Sequence, residues 1–184
     1  MKTSAFYAVG IATLFLGVLG GTVQSNAAPA AAPTPVPRSV PDLSSMKMFM
    51  GSWSCSQPLR GKTRTDHSTT TMTLDGQYMM THDVSPPFDK FRTRPVIADS
   101  YFTYNPLNKM WVTVGVDNFG TYFVNTSPGW SGNTLKTTTK LTNDGSSGYD
   151  VLTKVSDTKT TDTFVNKDPK GKVTRATITC TKTG

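Results

Sequence analysis

The chain predicts an all-β domain: an antiparallel up-and-down barrel of about ten strands, with a short helix in front of it. Three observations predict it. Beyond residue 50 the apolar residues recur with a period of two rather than 3.6, in segments rich in threonine, which suits a pleated surface. Short turn signals follow one another along the chain, so successive strands are antiparallel neighbours. Finally, the two cysteines of the chain, Cys55 and Cys180, fall in the first and last of those segments.

The N-terminus comes before the fold. Residues 1–28 place Lys2 ahead of an apolar run through Ile11, Leu14, Phe15, Leu16, Val18 and Leu19, closed by small residues up to Ala27 and Ala28. That pattern predicts a cleaved secretory signal. The run is broken by Gly10, Gly17, Gly20 and Gly21, and a membrane span needs about 20 apolar residues. Secretion or a periplasmic location is the expectation, and with it an oxidising compartment. Residues 29–41 read PAAAPTPVPRSVP, too poor in apolar bulk to fold alone, and predict an extended linker. Residues 42–184 are then one domain, within the usual range of about 100 to 200 residues. The net charge of +7 falls by one when Lys2 leaves with the signal.

In the domain, Asp42 and Ser44 offer helix caps, with Met46, Phe49 and Met50 at helical spacing for a turn or two. The first strand runs from Ser52 to Gln57. Asp75-Gly76 predicts a two-residue type I′ hairpin between strands ending at Leu74 and starting at Gln77. Asn105-Pro106, Asn118-Phe119-Gly120, Pro128-Gly129, Asn143-Asp144-Gly145 and Asp168-Pro169-Lys170-Gly171 mark the later turns. The last strand runs from Val173 to Thr181.

A meander with two free edges risks pairing with other chains, and closure removes both edges. Closure sets the first strand beside the last, so Cys55 and Cys180 can meet. Parity agrees, because Trp53 and Cys55 share one face and Ala176, Ile178 and Cys180 share another apolar one. A disulfide Cys55–Cys180 is expected, worth roughly 4 to 5 kcal/mol in the loop-entropy account.

The stretch Phe49-Met50-Gly51-Ser52-Trp53, a helical lead-in followed by Gly-x-Trp at the head of the first strand, resembles the opening motif of the lipocalin-like (calycin) barrels. The strand count, with Asp117-Asn118-Phe119-Gly120-Thr121 and Ser127-Pro128-Gly129-Trp130 at two turns, is more similar to the nitrobindin-like branch. Within it the chain resembles most a mostly bacterial secreted family. The resemblance covers nearly all of residues 42–181. It implies a barrel with an internal cavity and leaves the activity open.

Which residues face that cavity can be argued from charge, since a lysine or arginine on a half-buried strand prefers water. Arg60, Lys62, Arg64 and Asp66 alternate, so Thr65, His67, Thr69, Thr71 and Thr73 are expected inside. Across the hairpin Thr73 should oppose Tyr78 and Thr69 should oppose His82, which adds Tyr78, Met80, His82 and Val84. By the same argument Lys136 and Lys140 turn Leu135, Thr137, Thr139 and Leu141 inward, and Lys154 turns Val151, Thr153 and Val155 inward. Asp117 sends Met110, Val112, Val114 and Val116 inward and leaves Trp111 outside unless a bulge intervenes.

The expected ligand contacts are therefore His67, Thr69, Tyr78, Met80 and His82, with Trp53, Cys55 and Cys180 structural. The two histidines lie diagonally across one hairpin, roughly 7 to 8 Å apart along the backbone. They either bond neighbouring threonines or contact a ligand. Two imidazoles without a third donor make a poor zinc site, so no metal is expected. Neither Asp66-His67 nor His82-Asp83 is a catalytic pair, because adjacent strand residues face opposite sides. No catalytic residue is assigned. The nitrobindin-like haem binders use a histidine late in the chain, and nothing follows His82 here, so no haem or other cofactor is expected.

The long connection from Ser85 to Val96 carries Phe88, Phe91, Lys90, Arg92 and Arg94 among three prolines. It is either a lid with cations for an acidic ligand or a solvated loop. Scattered positive charge and the lack of a binding motif argue against nucleic acid. The expected function is non-enzymatic binding of a small amphipathic molecule in the lumen of a monomer. The alternative is a filled barrel acting through its surface as an envelope or protein-interaction module.

Overall fold

A computed structural model describes residues 41–184, except Arg60, Asp89 and Phe91. The signal at 1–28, nearly all of the linker, Arg60 and Phe91 therefore lie outside the described residues. A 3₁₀ helix, Ser44–Phe49, leads into eleven strands: β1 Gly51–Leu59, β2 Lys62–Thr73, β3 Tyr78–Ser85, β4 Val96–Asn105, β5 Met110–Asp117, β6 Tyr122–Ser127, β7 Trp130–Ser131, β8 Thr134–Thr142, β9 Ser147–Ser156, β10 Lys159–Lys167 and β11 Val173–Lys182. Consecutive strands pair antiparallel except β6 and β7; β1 also pairs with β11, and β6 pairs with β8. The sheet therefore closes into a ten-strand barrel, with the two-residue β7 carried on the edge of β8. This is the all-β lipocalin-like architecture the sequence predicts.

Closure makes Cys55 and Cys180 direct cross-strand partners, and they form the disulfide. The hairpin register is also as expected, with Thr73 opposite Tyr78 and Thr69 opposite His82. Its turn is longer than the two residues expected from Asp75-Gly76. Strand pairing stops at Thr73 and resumes at Tyr78. Leu74 and Asp75 take the left-handed values, φ 50° and 54°, and the Gly76 amide donates to the Thr73 carbonyl.

One end of the barrel is closed by the lead-in helix. Leu43 and Met46 are buried against Met79, Trp111 and Leu135, with Phe49, Phe102, Tyr104, Trp130 and Leu152 packed around them. Trp53 Nε1 donates to the Phe49 carbonyl at 2.9 Å, and Trp130 Nε1 donates to the Ser45 carbonyl at 3.0 Å. The two indole N–H groups thus tie both ends of the lead-in helix to the barrel. Trp111, expected outside, is buried and stacks on Phe102 with centroids 5.0 Å apart. Two glycines make room here. A Cβ on Gly115 would collide with the Phe123 ring, and Gly129 holds φ 103° beside the Trp111 indole.

Candidate functional site

Paired residues of an antiparallel sheet share a face, so the buried Trp53, Thr70, Met79 and Trp111 identify the lumen side of every strand. It is lined by Ser68 and Thr70 of β2, Met79, Thr81 and Asp83 of β3, Ser100 and Phe102 of β4, and Trp111 and Thr113 of β5. Asn125 of β6, Leu135 and Thr137 of β8, Asp150 and Leu152 of β9, and Thr160, Asp162 and Phe164 of β10 continue it to Ile178 of β11.

Two chambers adjoin at Phe49, Thr70 and Thr81. The first, about 170 Å³, is lined also by Met79, Ser100, Phe102, Thr113 and Leu135. The second, about 140 Å³, is lined also by Trp53, Cys55, Ser68, Leu152, Thr160 and Cys180. The Thr70 and Thr81 hydroxyls lie 2.8 Å apart and so satisfy each other at the boundary. A larger hollow of about 580 Å³ lies against Pro41, Asp42, Lys47 and Met72, at the lead-in rather than in the lumen.

Beyond the chambers the interior becomes ionic. Arg64 Nε and Nη2 clasp the Asp66 carboxylate at 2.7 Å, both side chains are 14% exposed, and Nη2 also donates to Ser85 Oγ. Burial pushes the nearby Asp83 carboxyl up to about 6, with the Asp66 carboxylate adding to the rise and His82 opposing it. Across the lumen, burial and the Asp150 carboxylate push Asp162 up to about 7. Asp150 is itself raised by burial, although Thr137 Oγ1 donates to it at 2.8 Å. Asp162 Oδ1 and Asn125 Oδ1 find no donor among the described residues.

These placements correct the expected faces. His67, Thr69, Tyr78, Met80 and His82 alternate with the lumen residues and lie on the outer face, where both histidines are exposed. The structure does gather them across the β2–β3 hairpin, on the wall opposite the one expected. Thr65, Thr71, Thr73 and Val84 go with them. The reason is Arg64 and Asp66: each was expected to seek water, but they neutralise one another inside. Val112, Val114 and Val116 are likewise outside, because Trp111 takes the lumen side. Val151, Thr153 and Val155 face out as well, since Leu152 and Asp150 face in and the Lys154 ammonium is held by Asp157 at 2.6 Å. Leu135, Thr137 and Thr139 face inward as expected. Leu141 does not, because a register shift at Val124/Asn125 reverses the face beyond it, leaving Leu141 53% exposed.

On the outer wall His82 acquires a partner that sequence adjacency did not offer. Its Nδ1 lies 2.7 Å from Asp99 Oδ1 of β4, and one strand over Ser52 Oγ is 3.3 Å from Thr69 Oγ1. Finding Asp99 requires the β3–β4 register, which the long Ser85–Val96 connection hides. That connection is tied down at Arg94, which donates to the Asn118 carbonyl and lies over the Phe119 ring. Among the described residues no group of three or more His, Cys, Asp or Glu is placed to hold a metal, and no helix is long and apolar enough to cross a membrane. Compared with known proteins, the chain matches no family model and no curated sequence.

Proposed function

We propose that the barrel is an exported, non-enzymatic binder of a small amphipathic molecule held in the lumen. The observation that carries this reading is the pair of adjoining chambers beside Phe49. An apolar cavity of about 150 Å³ accepts a benzene-sized guest, so the two together suit a molecule of two such units. The polar contacts are then Ser68, Thr70, Thr81, Ser100 and Thr113, which replace the five outer-wall residues named from the sequence. Hydroxyls among aromatic and aliphatic walls give a site of mixed character. The nitrobindin-like branch of the calycin barrels is the kinship this reading favours, on the Gly-x-Trp lead-in and the turn motifs. A disulfide between the outermost strands supports an oxidising destination.

Phe49 lines both chambers together with Thr70 and Thr81, so Phe49→Ala should enlarge the space they share. In native mass spectrometry of the protein recovered from its source, a bound mass of a few hundred daltons is the expected result. In a titration with a naphthalene-sized fluorescent probe, Phe49→Ala should tighten binding at least tenfold while Thr70→Val weakens it. A protein that carries no small molecule and binds the probe equally in all three forms would refute the reading and leave the outer surface as the functional part.

A further inference from the structure

Strands β3, β4, β5 and β6 are consecutive in the sheet and contain no lysine or arginine, in a chain with 19 such residues and a net charge of +7. Their outer face is apolar. Tyr101 pairs with Val114, Val116 pairs with Tyr122, and Val114 continues through Val124 to Leu141 of β8. Val114, Val116 and Tyr122 are 42, 50 and 43% exposed. A solvated strand normally alternates apolar-in with polar-out, yet the outward residues of β5, Met110, Val112, Val114 and Val116, are all apolar. An exposed, contiguous apolar face of this kind marks a contact surface.

We propose that this face is where two copies of the chain meet, as a symmetric dimer in which β4, β5 and β6 of one barrel lie against those of the other. Charge selects the occupant. Lys136, Lys140, Lys159, Lys167 and Arg175 belong to β8, β10 and β11. Two molecules this basic avoid setting cation against cation by meeting through the wall that lacks them. Strands β4, β5 and β6 form the apolar part of that wall, whereas the outer faces of β1 and β2 are lined mainly by serine, threonine and His67. An acidic partner would choose the basic sector instead, and an anionic bilayer is gripped by lysines and arginines around an apolar face. Within the sector the polar side chains of His82 and Asp99 are already joined to each other, Nδ1 to Oδ1 at 2.7 Å. A two-fold axis suits one patch that must complement itself, and tyrosines beside valines are what such contacts favour.

The size of the face sets the strength. Four strands about 4.8 Å apart and some six residues long present about 400 Å² per partner, about half of what a standard stable interface buries and in the range of weak, transient contacts. The dimer is therefore weak and dissociates on dilution, in place of the monomer expected from the sequence. Sedimentation velocity of the protein as recovered from the expressing cell tests this between about 2 and 200 µM, a range that spans micromolar association. The mean mass should rise from one chain toward two across that range. Val114→Lys and, separately, the milder Val116→Thr alter only outward side chains. The first should hold the protein at one chain throughout, and the second should shift the transition at least threefold to higher concentration, both with unchanged circular dichroism. Thr177→Lys, on the outer face of β11, should leave dimerisation intact. A wild type that stays a single chain at the top concentration overturns the proposal, as does a dimer that Val114→Lys leaves untouched. Binding to neutral phosphatidylcholine vesicles, abolished by Val114→Lys in a protein that is a single chain in solution, would assign the face to lipid and overturn it too.

Discussion

Replacing Asp162 by asparagine should make the protein more stable at neutral pH. The carboxyl lies inside the barrel on β10, with Oδ1 unpartnered among the described residues. Burial and the Asp150 carboxylate raise it from 3.8 to about 7. The folded chain therefore holds this proton where the unfolded chain has released it. Between those two values the native state binds more protons, so stability falls as pH rises, by at most about 1.4 kcal/mol per pH unit. Over the whole window the loss approaches about 4 kcal/mol, complete above pH 7 and absent below pH 3.8. Asp162→Asn keeps the shape, abolishes the titration and offers its amide to Asp150. Urea unfolding followed by tryptophan fluorescence, at half-unit steps from pH 4 to 8, reads the difference as a change of midpoint at constant slope. The two proteins should coincide near pH 4 and separate steadily, the variant ahead by several kcal/mol at pH 8. Parallel profiles, or a variant less stable at pH 8, would show that the carboxylate has found a partner and would refute the reasoning. Asp83, raised to about 6 chiefly by burial, tilts the wild-type profile the same way and does not differ between the two proteins.

Two further substitutions probe the frame. Cys55→Ser with Cys180→Ser removes a cross-link that spans 125 residues and should cost about 5 kcal/mol in the loop-entropy account, measured by the same unfolding assay. A cost below about 1 kcal/mol would mean that hydrogen bonding of β1 to β11 alone holds the barrel shut. Arg64→Met strands the buried Asp66 carboxylate and should cost about 3 to 5 kcal/mol, whereas Arg64→Met combined with Asp66→Leu should recover most of that. A double variant as unstable as the single one would show that the pair is not the closed unit its hydrogen bonds suggest.

Closure, the disulfide and the β2–β3 register were legible because each rests on a local or symmetric constraint. A turn dipeptide fixes which residues oppose one another, and a meander that must hide two edges brings its ends together. The face of a strand is less local. For β8 the lysines gave it correctly at Leu135, Thr137 and Thr139, since Lys136 and Lys140 have no buried partner of opposite sign on their own strand. For β2 the same argument failed, because Arg64 and Asp66 are two residues apart on one face and each removes the other's need for water. The chain did hold a signal that decides the matter. Trp53 and Cys55 face the lumen, and the tight connection pairing Leu59 with Lys62 sets Trp53 opposite Ser68 and Cys55 opposite Asp66. Reading the register outward from the tryptophan puts the even residues of β2 inside. The face of β5 then follows, with Trp111 in and the valines out. Asp99 as the partner of His82 was beyond reach, because it depends on register across the longest connection.

The reversed faces also explain why this barrel needs its staple. An interior that holds Asp83, Asp150 and Asp162 with raised affinity for protons is destabilised as each ionises, and the loss from Asp162 alone, about 4 kcal/mol, is the size of the disulfide's expected contribution. A domain with total stability of about 5 to 15 kcal/mol cannot absorb both losses with a margin. The two effects act on different states: the disulfide restricts the unfolded chain at every pH, while the carboxylates strain the folded one only above mildly acid pH. Removing the disulfide should therefore be tolerated near pH 4.5 and ruinous near pH 8, and Asp162→Asn should rescue the cysteine-free chain at the higher pH. A cysteine-free chain that unfolds alike at both values, unrescued by Asp162→Asn, would mean that the buried carboxylates carry no such load.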